Sequence, residues 1–179
     1  GSEVLGAVKV IGVFDRKFII CQHDNVLIAV DQHAAHERVN LERLLLDPKA
    51  HILSHKLDVP MDILMDSDDV SPDCIERLKE WKCVILSKSN RLYVSQVPSI
   101  NGVAIGRLSS IYEMIDSYKM RVPGPIYHQL QTYACHKSIK FGDLLTVSQA
   151  SNLIKRLSMC KQPNSCAHGR PVAIPIYSL

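Results

Sequence analysis

Three short apolar runs open the chain, GAVKVIGVF (6–14), KFIICQH (17–23) and VLIAV (26–30). β-Branched and aromatic residues dominate them, which predicts strands. Asp24-Asn25, between the second and third runs, predicts a tight turn and with it a three-stranded meander. VLIAV shows no polar alternation, the pattern of a strand covered on both faces and central in its sheet.

From His33 to about Leu46 the residues turn to Ala, Glu, Arg and Leu, predicting a helix that Asp47-Pro48 ends. The middle of the chain reads differently. LDVPMDI (57–63) is short extended chain, and Ser71-Pro72-Asp73 opens a helix to about Lys82. CVILSK and RLYVSQVP flank Ser89-Asn90 as a hairpin, a helix follows over about Val103 to Tyr118, and VPGP (122–125) marks a rigid exit. This βαββα unit interrupts the chain. Beyond it, YHQLQTYACHKSIKFGD (127–143) is predicted helical with Gly142 as its stop. Thr146 and Gln149 predict a capping box for a helix whose Ala150, Leu153, Ile154 and Leu157 share one face, closed by Pro163. The tail SCAHGRPVAIPIYSL reads as loop and then extended chain, with two prolines that suit a sheet edge.

With 179 residues, 46% of them hydrophobic, the chain is long enough to bury its own core. A formal charge of +3 permits contact with a polyanion without announcing one. No run approaches the ~20 consecutive apolar residues of a spanning helix, so a membrane is not among the expected partners. Cys21, Cys74, Cys83, Cys135, Cys160 and Cys166 are too scattered for a small disulfide scaffold. Reduced thiols, intracellular residence and metal ligation are the expectation.

The candidate chemistry starts where strand is expected to meet helix. His33 and Glu37 are four apart, so both leave one helix face and can converge on one ion. Glu42 is rotated off that face, and His36, three from His33, is a weaker ligand. Cys166 and His168, one residue apart in extended chain, point to one side and form a two-ligand clip. Cys135 offers another thiolate, and Arg170 a grip on phosphate or carboxylate. His, Glu and Cys together suit zinc, with manganese where carboxylate and water dominate. With Asp31 the candidates outnumber the four ligands of one structural zinc, which suggests two ions, about 3.5 to 4 Å apart in phosphodiester-cleaving sites. Plainer readings stand beside these: a surface helix for His33 and Glu37, a small buried hydrophobe for Cys135, a helix cap for Asp31 and a surface pair for Arg170. Arg38, Arg43, Lys137, Lys140 and Lys161 read as solvated. HAAHE is neither H-E-x-x-H nor H-x-x-E-H, which excludes a zinc protease of those patterns.

DQHAAHERVNLE (31–42) resembles the DQHA-x2-E-x4-E motif of the C-terminal endonuclease domain of MutL-type mismatch repair proteins. ACHKSIKFGD (134–143) resembles the family's ACR helix motif, and CAHGRP (166–171) its C-[PA]-HGRP motif. The three occur in the family's order, and the alanine of CAHGRP and the histidine of ACHK look most like the meiotic branch, the third MutL homologue. The resemblance implies an α+β, two-lobed fold: a split dimerisation lobe carrying the metal site, at 1–56 and 128–179, with an inserted βαββα regulatory lobe at 57–127. It implies zinc at His33, Glu37, Cys135, Cys166 and His168, with Asp31 and Glu37 catalytic. The implied activity is manganese-stimulated nicking of one strand of duplex DNA in mismatch repair and meiotic recombination. The implied partner is a MutL-homologue subunit in the nucleus, as a heterodimer, or as a homodimer in isolation. ATP would serve only an N-terminal domain, and no phosphate-cradling glycine loop occurs in these residues.

Two departures qualify the resemblance. His136 replaces the ACR arginine, removing a fixed positive charge. Some members bind the sliding clamp through a glutamine-led segment; HKLDVP (55–60) has His55 in that place, which leaves the clamp open as a partner. The competing expectation is a noncatalytic dimerisation module whose zinc is structural.

Overall fold

A computed structural model describes residues 2–178. Gly1, and Leu179 at the end of the predicted tail, lie outside the described residues. The first half of the chain runs α1 (Ser2–Ala7), β1 (Lys9–Phe14), β2 (Phe18–His23), β3 (Val26–Asp31), α2 (Gln32–Leu44), β4 (Leu53–Asp66) and α3 (Pro72–Glu80). It continues through β5 (Val84–Lys88), β6 (Arg91–Ile100), β7 (Val103–Ala104), α4 (Leu108–Asp116), α5 (Gly124–His136), α6 (Val147–Ser158) and β8 (Ala173–Ser178). The fold is α+β, with two antiparallel sheets. Its contacts divide into two compact units, residues 1–46 with 134–179 and residues 47–133. The expected divisions lay after residues 56 and 127. Among the described residues no helix is long and apolar enough to cross a membrane.

In the first unit the strands order as β1-β2-β3-β8, every pair antiparallel. The meander is present. Asp15 and Arg16 turn the first hairpin with φ near 50° at both positions, and Asp24 takes the same left-handed conformation in the second. VLIAV is central, between β2 and β8, and β8 with its Pro175 is an edge.

Register sorts this sheet's side chains onto two faces. Ile19, Cys21 and Val30 join Leu5, the α2 residues Ala34, Ala35 and Val39, and the α6 residues Ala150, Leu153, Ile154 and Leu157 in one apolar core. The Thr146–Gln149 capping box forms as the sequence predicts. On the opposite face Gly12, Ile20, Ala29 and Ile174 lie in one row, and Phe14 and Phe18 in another. Phe14 is 66% exposed, Ile174 53% and Tyr177 62%.

The second unit is built on the sheet β4-β6-β5, with β7 pairing onto β6. Ser71 caps α3 by accepting from the Cys74 N–H, and Ser89 and Asn90, with φ of 49° and 64°, form the predicted hairpin turn. The ladder from β4 to β6 is irregular between Lys56 and Met61, which accommodates Pro60 where no N–H is needed. One predicted helix starts late. Val103 and Ala104 fold back onto Ile100 and Ser99 through Asn101-Gly102, whose φ values are 51° and 78°, so α4 begins only at Leu108. Asn-Gly is a strong hairpin signal that outweighs the helical pattern following it.

The helix predicted over 127–143 instead runs Gly124–His136, beginning inside the VPGP stretch expected as a linker and ending earlier. Residues beyond it take other partners, most of them distant in sequence. The Ile139 N–H donates to His36 Nδ1 at 3.0 Å, Lys140 Nζ reaches the Cys135 carbonyl at 2.8 Å, and the Gly142 N–H donates to the Arg16 carbonyl at 3.0 Å. Gly142 does have positive φ, 96°, but within this loop rather than at a helix end.

Candidate metal centre

Strand β3 passes into α2 without a linker, and Asp31 is the residue at the joint. Its Oδ1 accepts from the Ala34 N–H at 2.9 Å, capping α2. The first turn of α2 then directs His33 and Glu37 to one side, with His33 Nε2 3.4 Å from Glu37 Oε2. Glu37 is 1% exposed, and two imidazoles lie against its carboxylate: His33, and His168, whose Nδ1 lies 2.5 Å from Oε1. Cys135, in the last turn of α5, places Sγ 3.6 Å from His33 Nε2. Cys166 Sγ accepts from the His168 N–H at 3.3 Å.

These donors make two groups that share one carboxylate. His33, Glu37 and Cys135 offer ligand atoms within 4.8 Å of one another, and so do Glu37, Cys166 and His168. The five side chains expected as metal ligands thus lie together, from three separate segments of the chain. A carboxylate so buried is costly unless cations or hydrogen-bond donors compensate it. Two imidazole nitrogens, two sulfurs and a shared carboxylate fit a borderline-soft divalent cation such as zinc. Burial, and then the Glu37 charge, push the Cys135 thiol up from its ordinary range. Metal ligation deprotonates a coordinating thiol and so would act against that shift.

His33 donates Nδ1–H to the Ile139 carbonyl at 2.7 Å, which fixes the tautomer that frees Nε2 toward Glu37 and Cys135. Asp31 is not within either donor group. Cys166 is 2% exposed and packs with the apolar core, yet its sulfur also belongs to the second donor group. Arg170 is exposed, and its carbonyl accepts from the Cys166 N–H at 2.8 Å, closing the CAHGR turn in which Gly169 has φ of 83°.

Two residues set aside in the sequence hold the loop that carries Cys166 and His168. Arg38, expected to be solvated, is 4% exposed. Its Nε donates to the Ser165 carbonyl at 2.6 Å and its Nη2 to the Cys166 carbonyl at 2.6 Å and to Ser165 Oγ at 3.2 Å. Glu42 lies off the ligand face, as its spacing requires, and accepts from the N–H groups of Lys161 and Gln162 at 2.7 and 3.0 Å. The spacing of Arg38, one position after Glu37, carried no signal for this role. Its burial comes from a loop 127 residues away.

Residues 11–145 match the family described as the MutL C terminal dimerisation domain. The chain is 32% identical to the DNA mismatch repair protein MutL of Kosmotoga olearia over 98% of its length, covering 29% of that protein. It is 26% identical to the DNA mismatch repair protein Mlh3 of Homo sapiens over 97% of its length, covering 15% of it, and 28% identical to the DNA mismatch repair protein pms1 of Schizosaccharomyces pombe over 91%, covering 22%. The chain therefore spans less than a third of the length of these relatives, at their region of shared sequence. On the match across three quarters of its residues, this chain belongs to the family of MutL C-terminal dimerisation domains found in DNA mismatch repair proteins.

Proposed function

We propose that this domain nicks one strand of duplex DNA in a metal-dependent reaction and joins a MutL-homologue partner subunit. The observation that carries the reading is Glu37, a buried carboxylate shared by two donor groups that also include His33, Cys135, Cys166 and His168. Zinc is the resident ion of this proposal and manganese the ion that supports turnover. Bound there, such ions supply Lewis acidity toward phosphodiester oxygens and water. Glu37 holds the two donor groups together, and His33 presents Nε2 because Ile139 occupies Nδ1. Asp31 uses Oδ1 for the helix cap, leaving Oδ2 to take a proton or complete a ligand set. Exposed Arg170 and Lys140 supply positive charge for the DNA backbone.

Partner binding is supported by the outer face of the first unit's sheet, where Phe14, Ile174 and Tyr177 are exposed. The relatives' printed names place them in mismatch repair, and the nucleus and the meiotic branch are parts of this proposal.

Asp31→Asn tests the catalytic assignment, because Asn caps a helix as well as Asp does. The variant dimer should keep its fold and zinc yet lose manganese-dependent nicking of supercoiled plasmid. Normal nicking would overturn the role of Asp31. A noncatalytic module with structural zinc is favoured by one observation, that the donors tie distant segments together. That module binds zinc but never nicks, whatever the metal.

A further inference from the structure

The segment after α5 is gripped from α2 by side chains that are not themselves in the donor groups. Gln32 is fully buried, and its Nε2 donates to the carbonyls of Arg16 at 2.7 Å and of Lys140 and Asp143 at 3.2 Å each. Its Oε1 is buried and, among the described residues, has no partner. An unpaired buried acceptor is costly, so the donor end must outweigh it in this fold. One turn along α2, His36 Nδ1 accepts the Ile139 N–H at 3.0 Å. His33 Nδ1–H donates to the carbonyl of the same residue at 2.7 Å. Ile139 is thus held at both of its backbone polar groups, in opposite senses, by two histidines of one helix. The same segment is continuous with Cys135, whose carbonyl accepts from the Ser138 N–H at 3.1 Å and from Lys140 Nζ at 2.8 Å.

Building on the metal reading above, we infer that Gln32 and His36 are positioning residues of the metal centre. They pin the 138–143 segment to the first turns of α2, so that the Ile139 carbonyl sets the His33 tautomer and Cys135 Sγ stays beside His33 Nε2. Neither residue ligates the ion. His36 acts as a hydrogen-bond acceptor, and any side chain with an acceptor at the δ position can replace it. Gln32 acts as a donor.

Cobalt(II) is the probe, since thiolate ligands give it a charge-transfer band in the near ultraviolet and its visible bands report coordination geometry. The purified chain, its His36→Ala, His36→Asn and Gln32→Leu variants are titrated with cobalt and then challenged with zinc, with circular dichroism on each. His36→Ala and Gln32→Leu should weaken cobalt about 10- to 100-fold, the usual effect of losing a group that orients a ligand, and should alter the visible bands. His36→Asn should bind within about 3-fold of the parent, because Asn Oδ1 stands where Nδ1 stood and accepts the same N–H. Parent-like affinity and spectrum in His36→Ala overturn the inference, as does equal weakening of His36→Ala and His36→Asn. If Gln32→Leu does not fold, the His36 pair decides alone. A parent chain with no thiolate band removes the metal reading itself, and the inference falls with it.

Discussion

Arg38→Met removes the guanidinium while keeping most of the side-chain volume in place. The arginine is 4% exposed and makes three hydrogen bonds to Ser165 and Cys166, two of them to carbonyls at 2.6 Å, with Glu42 Oε1 3.8 Å away. Hydrogen bonds from a charged donor contribute about 1.5 to 3 kcal/mol each, but their sum overstates the loss because water can partly re-solvate the freed carbonyls. Removing one partner of a buried charge pair typically costs about 3 to 5 kcal/mol. Glu42 would not be left bare, since the Lys161 and Gln162 N–H groups still hold it. The lower end of that range, about 3 kcal/mol, is therefore the expected destabilisation. Urea unfolding followed by circular dichroism, with chelator present to remove metal linkage, measures it. A change within about 0.5 kcal/mol would refute the argument that this arginine anchors the Cys166–His168 loop.

Native thiol labelling should be confined to Cys135 and Cys160, the two cysteines that are not buried, and zinc should protect Cys135 but not Cys160; mass spectrometry of labelled peptides reads this out. Cys83 is buried and its thiol is pushed up to about 12 by burial and then by Cys74, against 9.0 when unperturbed. The folded state therefore holds this proton more tightly, so the contribution is complete below pH 9 and is lost as pH rises toward 12. Urea stability should fall above pH 9 by up to about 1.4 kcal/mol per pH unit for this thiol, and the slope should be shallower in Cys83→Ala. Phe14→Lys on the exposed sheet face should leave the monomer folded and abolish partner binding, as read by analytical ultracentrifugation with a MutL-homologue subunit.

Local chemistry made much of the fold legible. The meander, the Ser71 and Thr146 caps, the Ser89-Asn90 turn and the proline of the edge strand all act over a few residues, and each is where the pattern puts it. Two of the misplaced helix boundaries have different causes. At Val103 a local signal was present in the sequence, Asn101-Gly102, and it is the hairpin it forms that delays the helix. At His136 no local signal existed, because the groups that end α5 come from α2, a hundred positions earlier. Short helix α1 was likewise not foreseen, though Leu5 enters the core.

The candidate ligands were legible because i to i+4 spacing on a helix and a Cys-x-His clip constrain direction before any tertiary contact exists. The residues that position them carry no such mark. Gln32, His36, Arg38 and Glu42 all sit on α2, interleaved with His33 and Glu37, and serve two different loops. Helical geometry explains the division. Gln32 and His36 are one turn apart and hold the 139–143 segment, while Arg38 and Glu42 are also one turn apart and hold 161–166. Glu37, between the two pairs, is the carboxylate common to both donor groups. A single helix therefore sets the spacing between the two halves of the centre. Inserting one residue within α2 would rotate Arg38 and Glu42 by about 100° relative to Gln32 and separate the halves, even with every ligand still present in the chain.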